Sequence, residues 1–390
     1  MDNNGAPTID SLSHEIRAKL SGVGETPVHV FLEGTSSTVF AEAAALVAEA
    51  STNSLRLRAA YSVKTNPRAE LLALARQNAF CAEVISLEEL GWAARNGFAT
   101  ESMIYNGPGP LSGHAQPVHV AFADSIVAFK SYAQKRVASV VGIRLRPGGI
   151  VSRFGVAREE FDDLISCAAE FSGAIDLGVS FHVRPEDYAG QTWQEITRNV
   201  IESANEMEHR CGCCITVLDL GGGWTPDSFR HALRREVPQA LRAVRSFLPH
   251  VREVFLEPGQ ALATPCVVLY SRVIEIRKRK TGAIDAVIDA SINDAPHIAA
   301  YAHRILASAD ESFSQLSFGE DRILGSTCLE YDILAPKIAL PPNLQVGDRI
   351  AIADCGSYDS SMAFTFARGA APKNTYGSLD QTPREATTKN

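Results

Sequence analysis

The feature that most constrains the fold is a regular alternation of short apolar runs with longer helical patterns between about residues 59 and 260. This alternation is typical of a parallel sheet that is covered by helices. Strands are predicted at residues 60–64, 82–86, 103–106, 119–123, 142–146, 178–183, 216–220 and 253–257. Eight such units predict an α/β fold, a (β/α)8 barrel of the TIM type, in which catalytic groups lie at the C-terminal ends of the strands.

Local signals predict where helices begin and end. Asn66 followed by Pro67 predicts a helix with Asn66 as its N-cap. Ser86 with Glu89 three residues later predicts a capping box, and Gly97 is placed to end that helix. Longer helical patterns at residues 193–208 and 229–248 separate the last three strands.

The pattern changes after about Pro265 to β-like runs without long amphipathic helices. A chain of 390 residues is expected to form two domains, and these runs predict that the second is all-β. We predict a barrel at 28–265, a β-domain at 266–368 and a disordered tail at 369–390, rich in Pro, Thr, Lys and Asn. An N-terminal segment remains at 1–27, and whether it packs against the β-domain is left open.

Composition excludes several classes of function. The formal charge of -8 gives no support for binding nucleic acid, which calls for a basic face. The polar N-terminus and the lack of a stretch of about 18 apolar residues predict a cytoplasmic protein that does not enter the membrane. Eight scattered cysteines fit reduced thiols. Cys211, Cys213 and Cys214 are either a metal site or helix-end thiols, but no Cys/His pair follows at zinc spacing, and no metal is predicted.

Reactive residue types cluster where the predicted strands end. They are Lys64, Glu83, Asn106, Arg144, His182, Gly221, Gly222, Gly223 and Glu257. If residues with no role in catalysis were placed without regard to the fold, they would be scattered among faces and helices. Their convergence on one rim indicates an active site.

Each of these residues suits a particular chemistry. A partly desolvated lysine amine has a lowered pKa and suits Schiff-base formation, although a solvated Lys64 is the ordinary alternative. Three glycines after the seventh strand indicate a phosphate loop, with a tight turn as the alternative. Glu257 is suited to pair with a protonated heterocyclic nitrogen, and His182 is suited to stack on a flat ring.

Six motifs together identify a resemblance to a known family. They lie at residues 61–66 (Y-S-V-K-T-N), 152–156 (S-R-F-G-V), 181–183 (F-H-V), 218–223 (L-D-L-G-G-G), 257–259 (E-P-G) and 325–332 (G-x-x-C-x-x-x-D). From about Pro27 to about Met362 the chain resembles the fold-type III pyridoxal-phosphate decarboxylases, the family of ornithine, arginine and diaminopimelate decarboxylases. The resemblance implies an alanine-racemase-like barrel with a β-domain, pyridoxal 5'-phosphate as cofactor, and homodimers whose active sites lie at the interface.

The resemblance also implies a role for each matching position. Lys64 would carry the cofactor, His182 would stack on its ring, and Glu257 would keep the pyridine nitrogen protonated. The three glycines would bind phosphate together with Tyr358. Glu83 and Arg144 would complete the cofactor site, and Cys328 would act as an acid reaching in from the partner subunit.

Departures from the family pattern bear on the substrate. Glu83 stands where the family has Asp, Gln260 where it has Arg, and Arg184-Pro185 where it has Gly-Ser. Leu329 follows Cys328 where relatives that bind diamines carry Asp or Glu. Because an unpaired buried ammonium is costly, free ornithine, lysine and arginine are disfavoured as substrates. His297 occupies the place of the carboxylate-binding Arg of diaminopimelate decarboxylases, and Asp332 is a further candidate substrate residue.

Residues 356–364 (G-S-Y-D-S-S-M-A-F) are similar to decarboxylases of carboxylate-type siderophore pathways. Those enzymes act on amino acids conjugated to a hydroxycarboxylic acid such as citrate, and Arg184, His297 or Arg368 would meet the additional carboxylates. The alternative is a diaminopimelate decarboxylase of lysine biosynthesis. An amino-acid racemase is disfavoured by Glu257, because alanine racemases place Arg there, and a catalytically silent regulator is disfavoured because the reactive residues are retained.

Overall fold

The chain folds into two compact units, which a computed structural model describes for residues 9–20, 23–51, 55–109, 111, 117–309, 312–367 and 373–375. One unit is Ser37–Ala263, and the other combines Met1–Ser36 with Thr264–Asn390. The strands are β1 Val28–Phe31, β2 Arg56–Ser62, β3 Cys81–Val84, β4 Met103–Tyr105, β5 Val118–Ala123, β6 Ala138–Arg144, β7 Asp176–Ser180, β8 Ile215–Gly222, β9 Glu253–Glu257, β10 Val267–Lys278, β11 Ile284–Ile288, β12 Ile305–Ala309, β13 Ser312–Gln315, β14 Asp321–Leu324, β15 Ile333–Ile338, β16 Arg349–Ile352 and β17 Lys373–Thr375.

The helices alternate with strands in the first half of the chain. They are α1 Ile9–Leu20, α2 Glu33–Ala50, α3 Ala69–Gln77, α4 Leu87–Arg95, α5 Ile126–Lys135, α6 Phe161–Ala169, α7 Trp193–Cys211, α8 Pro226–His231, α9 Val237–Phe247, α10 Gly259–Ala263 and α11 Asp359–Met362. Within the described ranges, none of them is long and apolar enough to cross a bilayer.

The unit Ser37–Ala263 is a closed barrel of eight parallel strands, β2 to β9, which β2 and β9 complete by pairing with each other. Each predicted barrel strand overlaps one of these strands. Their side chains form a buried cluster of Ala60, Cys81, Ile104, Val120, Phe122, Val140, Val217 and Phe255. The predicted (β/α)8 barrel is confirmed, although the described residues between β4 and β5 contain no helix.

Two helix predictions differ from the structure at their termini. Asn66 is not an N-cap: α3 begins at Ala69, and the Asn66 side chain instead accepts a hydrogen bond from the Arg68 amide at 3.2 Å. Pro67 explains the difference, because a residue before proline is driven into extended backbone, and Asn66 has φ −162° and ψ 107°. Ser86 does cap α4 through the Glu89 amide, but the Glu89 carboxylate bonds Ile85 and not Ser86.

The helix predicted at residues 229–248 is three consecutive segments. A π-helical turn at Ala232–Glu236 separates α8 from α9. Pro238 lies in the first turn of α9, and proline lacks the N–H that would continue regular α-helical bonding across this point. The π-helical turn accommodates the missing hydrogen bond, and the chain continues directly from α8 into α9.

The second unit is built on a nine-stranded sheet. Seven strands follow the order β13-β12-β16-β10-β11-β14-β15, and β1 pairs antiparallel with β10 and parallel with β17. Ile16 and Leu20 of α1 are buried against Val28, Val268 and other members of one apolar cluster of this unit. Burial of each such aliphatic side chain contributes about 1.5–3 kcal/mol.

The observed boundaries differ from those predicted. Residues 28–36 were assigned to the barrel, but β1 pairs with β10, and Val28–Phe31 belongs to the β-sheet unit. Within the tail predicted to be disordered, Lys373–Thr375 forms β17, so that prediction is wrong for these three residues. The rest of 369–390 lies outside the described residues, as do residues 1–8 of the N-terminal segment.

Candidate active site

Side chains from six strand ends line one cavity at the C-terminal mouth of the barrel. The cavity has a volume of about 570 Å³, within the range of small-molecule sites. Its polar lining includes Lys64, Glu83, Asn106, Arg144, His182 and Glu257. A loop that carries Ile150, Ser152, Arg153 and Phe154 closes part of its wall.

Lys64 lies on a single 3-10 turn that directly follows β2. Its Nζ donates a hydrogen bond to Glu83 Oε2, and the Glu83 side chain is 1% exposed whereas that of Lys64 is 27% exposed. Burial raises the pKa of Glu83, and the Lys64 charge opposes that rise. The lysine amine is therefore oriented by a buried carboxyl group while it remains accessible from the cavity.

Glu257 ends β9 and is held from two sides. Asn106 Nδ2 donates to its Oε1 at 2.7 Å, and His182 Nδ1 lies 2.9 Å from its Oε2. Burial alone would raise the pKa of Glu257. The hydrogen bond and charge of His182, the charge of Lys64 and the Asn106 hydrogen bond outweigh burial and hold the pKa well below its ordinary value. Glu257 is thus a buried anion beside the cavity.

Arg144 fixes the turn that carries His182. Its Nη2 donates to the His182 carbonyl oxygen at 3.0 Å, and its guanidinium lies 5.0 Å from the centroid of the Phe154 ring. Asp124 Oδ1 is 3.8 Å from Arg144 Nη1 and also accepts from the Gly155 amide at 3.1 Å. Arg144 therefore joins β6, the His182 turn and the loop at 152–156.

The glycines after β8 allow a close approach of backbone segments. Gly221 has φ +72°, and a Cβ there would collide with the Phe181 carbonyl oxygen. A Cβ on Gly222 would collide with the Glu257 carbonyl oxygen. Backbone amides without side chains at such a turn form a concavity suited to anions.

Two residues of this site have contacts that sequence reasoning did not predict. Asn106 was placed at the rim without a role, and it is a hydrogen-bond donor to Glu257. Asp219 was passed over, and it is a buried acid one strand away from Glu257. A signal for Asp219 was available, since it is a carboxyl group flanked by leucines, two residues before the first of the glycines.

Arg184, a predicted substrate residue, lines the same cavity but is already paired. Its Nε donates to Asp187 Oδ2 at 2.7 Å, and its Nη1 is 3.4 Å from Glu186 Oε1. The side chain is 62% exposed. A ligand carboxylate would therefore have to compete with these two acids.

The β-sheet unit carries the other predicted residues. Cys328 is exposed and Leu329 is half-buried. Asp332 is buried, and its oxygens accept hydrogen bonds from the amides of Ile292 and Thr327, both at 2.8 Å, and from the Thr327 hydroxyl. Asp332 Oδ2 thus holds the loop of Cys328 and Oδ1 holds the segment of Ile292, and the substrate contact of Asp332 stays a prediction.

His297 and Tyr358 lie together in the β-sheet unit, with ring centroids 5.2 Å apart. The His297 amide donates to Asp359 Oδ1 at 2.9 Å, and His303 Nε2 lies 2.8 Å from Asp359 Oδ2. Tyr358 precedes α11 in the left-handed region, with φ +63°. Arg368 lies outside the described residues.

The cysteine cluster ends α7. Gly212 forms the left-handed cap after Cys211, and the Cys213 thiol bonds the Ala168 carbonyl oxygen at 3.4 Å. This is the helix-end arrangement that was one of the two alternatives. Among the described residues, the one group of three possible metal ligands is elsewhere, at His303, Cys355 and Asp359.

Comparisons with known proteins agree on one family. A family model described as pyridoxal-dependent decarboxylase, C-terminal sheet domain, matches residues 45–356. Diaminopimelate decarboxylase of Archaeoglobus fulgidus is 24% identical over 339 residues, which are 78% of each protein. The L-glutamyl-(BtrI acyl-carrier protein) decarboxylase of Niallia circulans is 21% identical over 338 residues, covering 77% of this chain and 78% of that protein.

The crystal structure of lysine/ornithine decarboxylase from Vibrio vulnificus, complexed with putrescine, superposes with a TM-score of 0.73. The superposition covers 94% of this chain and 98% of the Vibrio chain, and the two sequences are 20% identical. At that identity the likeness shows the shared fold.

Proposed function

The chain belongs to the pyridoxal-dependent decarboxylase family, and on that premise we propose that the cavity at the barrel mouth is its active site, with Lys64 as the cofactor lysine. The protein is a carboxy-lyase, a pyridoxal-phosphate-dependent amino-acid decarboxylase of fold type III. The observation that carries the site assignment is that one cavity holds the accessible amine of Lys64 together with the buried carboxylate of Glu257, whose pKa is held well below its ordinary value.

The residues of the cavity and of the glycine turn are suited to the aldehyde, the pyridine ring and the phosphate of pyridoxal phosphate. Lys64 offers an amine for the aldehyde, and Glu257 offers an anion for the pyridine nitrogen. His182 offers a flat ring for stacking. The glycine turn, where side chains would collide with neighbouring backbone, offers amides for the phosphate.

Bound pyridoxal phosphate supplies the electron sink for loss of carbon dioxide. Glu257 holds a proton on the pyridine nitrogen, and Asn106 and His182 keep the Glu257 carboxylate in position for this. Arg144 orders the His182 turn. Glu83 orients Lys64 Nζ, and Lys64 or Cys328 returns a proton to the alpha carbon of the substrate.

Cys328 is proposed to serve the active site of a second copy of the chain. The thiol is exposed on the β-sheet unit, and Asp332 fixes its loop by accepting hydrogen bonds from the Thr327 amide and hydroxyl. The homodimer is part of this proposal. It predicts that mixtures of two differently inactivated subunits regain activity.

For the substrate we propose an amino acid conjugated to a carboxylate-rich group such as citrate. Leu329 supports this because it offers no charge to a distal ammonium. The name of the Niallia relative also describes a decarboxylase of a conjugated amino acid. Arg184, which lines the cavity, would meet the added carboxylates. Free diaminopimelate is the second candidate, favoured by the Archaeoglobus relative.

The proposal is tested by measuring carbon dioxide release from a substrate panel. The panel contains citrate joined to the side chain of serine or of ornithine, together with free meso-diaminopimelate, lysine and ornithine. We expect kcat/KM for a conjugate to exceed that for each free amino acid by about tenfold to hundredfold, the value of one or two charge-assisted hydrogen bonds.

Leu329→Asp is the matched variant for this panel. It restores a carboxylate beside Cys328, so kcat/KM for free ornithine or lysine should rise while that for the conjugate does not. Preference of the unaltered enzyme for meso-diaminopimelate would overturn the conjugate proposal in favour of lysine biosynthesis.

A further inference from the structure

Asp219 is a buried acid that the proposed function leaves unused. It lies on β8, where it is 1% exposed, opposite Ser180 on β7 and Phe255 on β9. Its Oδ1 accepts a hydrogen bond from the Gly221 amide at 2.9 Å. Among the described residues, no N–H or hydroxyl donor reaches its Oδ2, which is completely buried. An ionised oxygen in that position would carry the full cost of desolvation.

Glu257 lies on the neighbouring strand β9, two residues after Phe255, which is the register partner of Asp219. Residues two apart on a strand face the same side of the sheet, so the Glu257 carboxyl group is placed on the side of Asp219, and its charge raises the pKa of Asp219. Two carboxyl groups form a hydrogen bond only when one of them carries a proton. Glu257 already faces Asn106 and His182, which stabilise its ionised form. Asp219 has one backbone amide, so the shared proton belongs on Asp219.

The charges around Asp219 favour the same assignment. Burial, then the charge and hydrogen bond of Glu257 on β9 and the charge of Glu83 on β3, raise the pKa of Asp219 well above its ordinary value. The Gly221 amide on its own strand opposes the rise. The raised pKa and the buried oxygen without a donor both favour the uncharged carboxylic acid.

We propose that Asp219 is a positioning residue that acts as a neutral acid, donating a hydrogen bond to Glu257 and accepting one from the Gly221 amide. The Asp219 side chain would thereby connect Glu257, which faces the ring nitrogen, with the glycine turn, which binds the phosphate. The inference rests on the proposed function, because it assigns Glu257 and the glycine turn to the two ends of one cofactor.

The decisive comparison is between Asp219→Asn and Asp219→Ala. The amide has the shape of the neutral acid, with an N–H for Glu257 and an oxygen for Gly221, whereas alanine offers neither. Asp176→Asn, at the exposed N-terminal end of β7, is the control for loss of a carboxylate outside the site. Dissociation of pyridoxal phosphate from the holoenzyme is measured by absorbance, and unfolding by calorimetry.

We expect Asp219→Asn to keep cofactor affinity and melting temperature close to those of the unaltered enzyme. Asp219→Ala should weaken cofactor binding by about tenfold to hundredfold. It should also move the acid limb of the cofactor absorbance profile to higher pH, because the Glu257 anion loses a donor.

A charged Asp219 would give the opposite pattern. Both substitutions would then remove a negative charge beside Glu257 and move the acid limb to lower pH, and Asn would be as damaging as Ala. That pattern, or an Asp219→Ala enzyme with unchanged cofactor affinity, overturns the inference.

Failure of the unaltered protein to bind pyridoxal phosphate would instead contradict the proposed function. The melting temperatures still test Asp219 in that case. A lower value for Asp219→Ala with an unchanged value for Asp219→Asn supports the hydrogen bonds, and equal losses contradict them.

Discussion

At the scale of single residues, the site depends on which charges are buried together. Lys64 and Glu83 form an ion pair beside the buried Glu257 and Asp219, so three carboxyl groups share one low-dielectric region. The rim positions of Lys64, His182 and Glu257 follow from the sequence, because the end of a barrel strand is a local property. The Asn106 hydrogen bond to Glu257 and the one proposed between Asp219 and Glu257 do not, because in each case the partner comes from another strand.

Lys64 should be the site of covalent trapping by borohydride. Reduction of the holoenzyme followed by peptide mapping should place the cofactor label on Lys64, because its amine is the one that the strand ends bring to the Glu257 cavity. Lys64→Ala should lose the label and the turnover. The control is Lys130→Ala, an exposed lysine paired with Glu170, which should keep both. Label on any lysine other than Lys64 would overturn the cofactor assignment.

At the scale of elements, α11 is held by a buried ion pair. The His303 side chain is fully buried, with Nδ1 2.7 Å from the Tyr301 carbonyl oxygen and Nε2 2.8 Å from Asp359 Oδ2. The Tyr301 carbonyl oxygen accepts from Nδ1, and with Asp359 ionised the ring donates from both nitrogens as an imidazolium. Asp359 also accepts from the His297 amide, which ties the segment of His297 to α11.

The His303 pair makes stability depend on pH. Burial lowers the pKa of His303, but the hydrogen bond and charge of Asp359 outweigh it, and the net pKa is raised above 6.5. A raised folded-state pKa gives a stabilisation that is complete below about pH 6.5 and is lost as pH rises through the folded value. His303→Gln should therefore lower the melting temperature most below pH 6.5 and progressively less at higher pH.

The matched control is His209→Gln, at an exposed histidine in the last turn of α7. It should leave the melting temperature nearly unchanged at every pH. If the loss in His303→Gln is the same from pH 5 to pH 9, the ion pair is not the source of the stability.

The ends of elements were harder to predict than the elements themselves. Ser86 was predicted as an N-cap and is one. The cap depends only on Ser86 and on the amide of Glu89, three residues later, so the sequence contains the whole signal. Asn66 has the residue type of a cap, yet Pro67 imposes extended backbone on it, and α3 starts later. In each case the local backbone decides between two uses of one polar side chain.

At the scale of the whole molecule, the barrel was predictable and the boundaries of the β-sheet unit were not. Each barrel unit is recognisable from a short apolar run followed by a helical pattern. Consecutive barrel strands are also neighbours in space. The sheet of the second unit instead pairs β1 with β10, at registers such as Val28 with Tyr270. Pairing across such a sequence distance leaves no periodic signal, which is why residues 28–36 were assigned to the wrong unit.

Mixing two inactive variants tests most directly whether Lys64 of one subunit and Cys328 of another complete one active site, as we propose. Lys64→Ala and Cys328→Ala subunits are each expected to be nearly inactive alone. After subunit exchange, verified by native mass spectrometry, half of the dimers are mixed and each has one intact site of two. Activity should therefore approach about a quarter of that of the unaltered enzyme. If heterodimers form and activity stays at the level of the separate variants, the shared active site is contradicted.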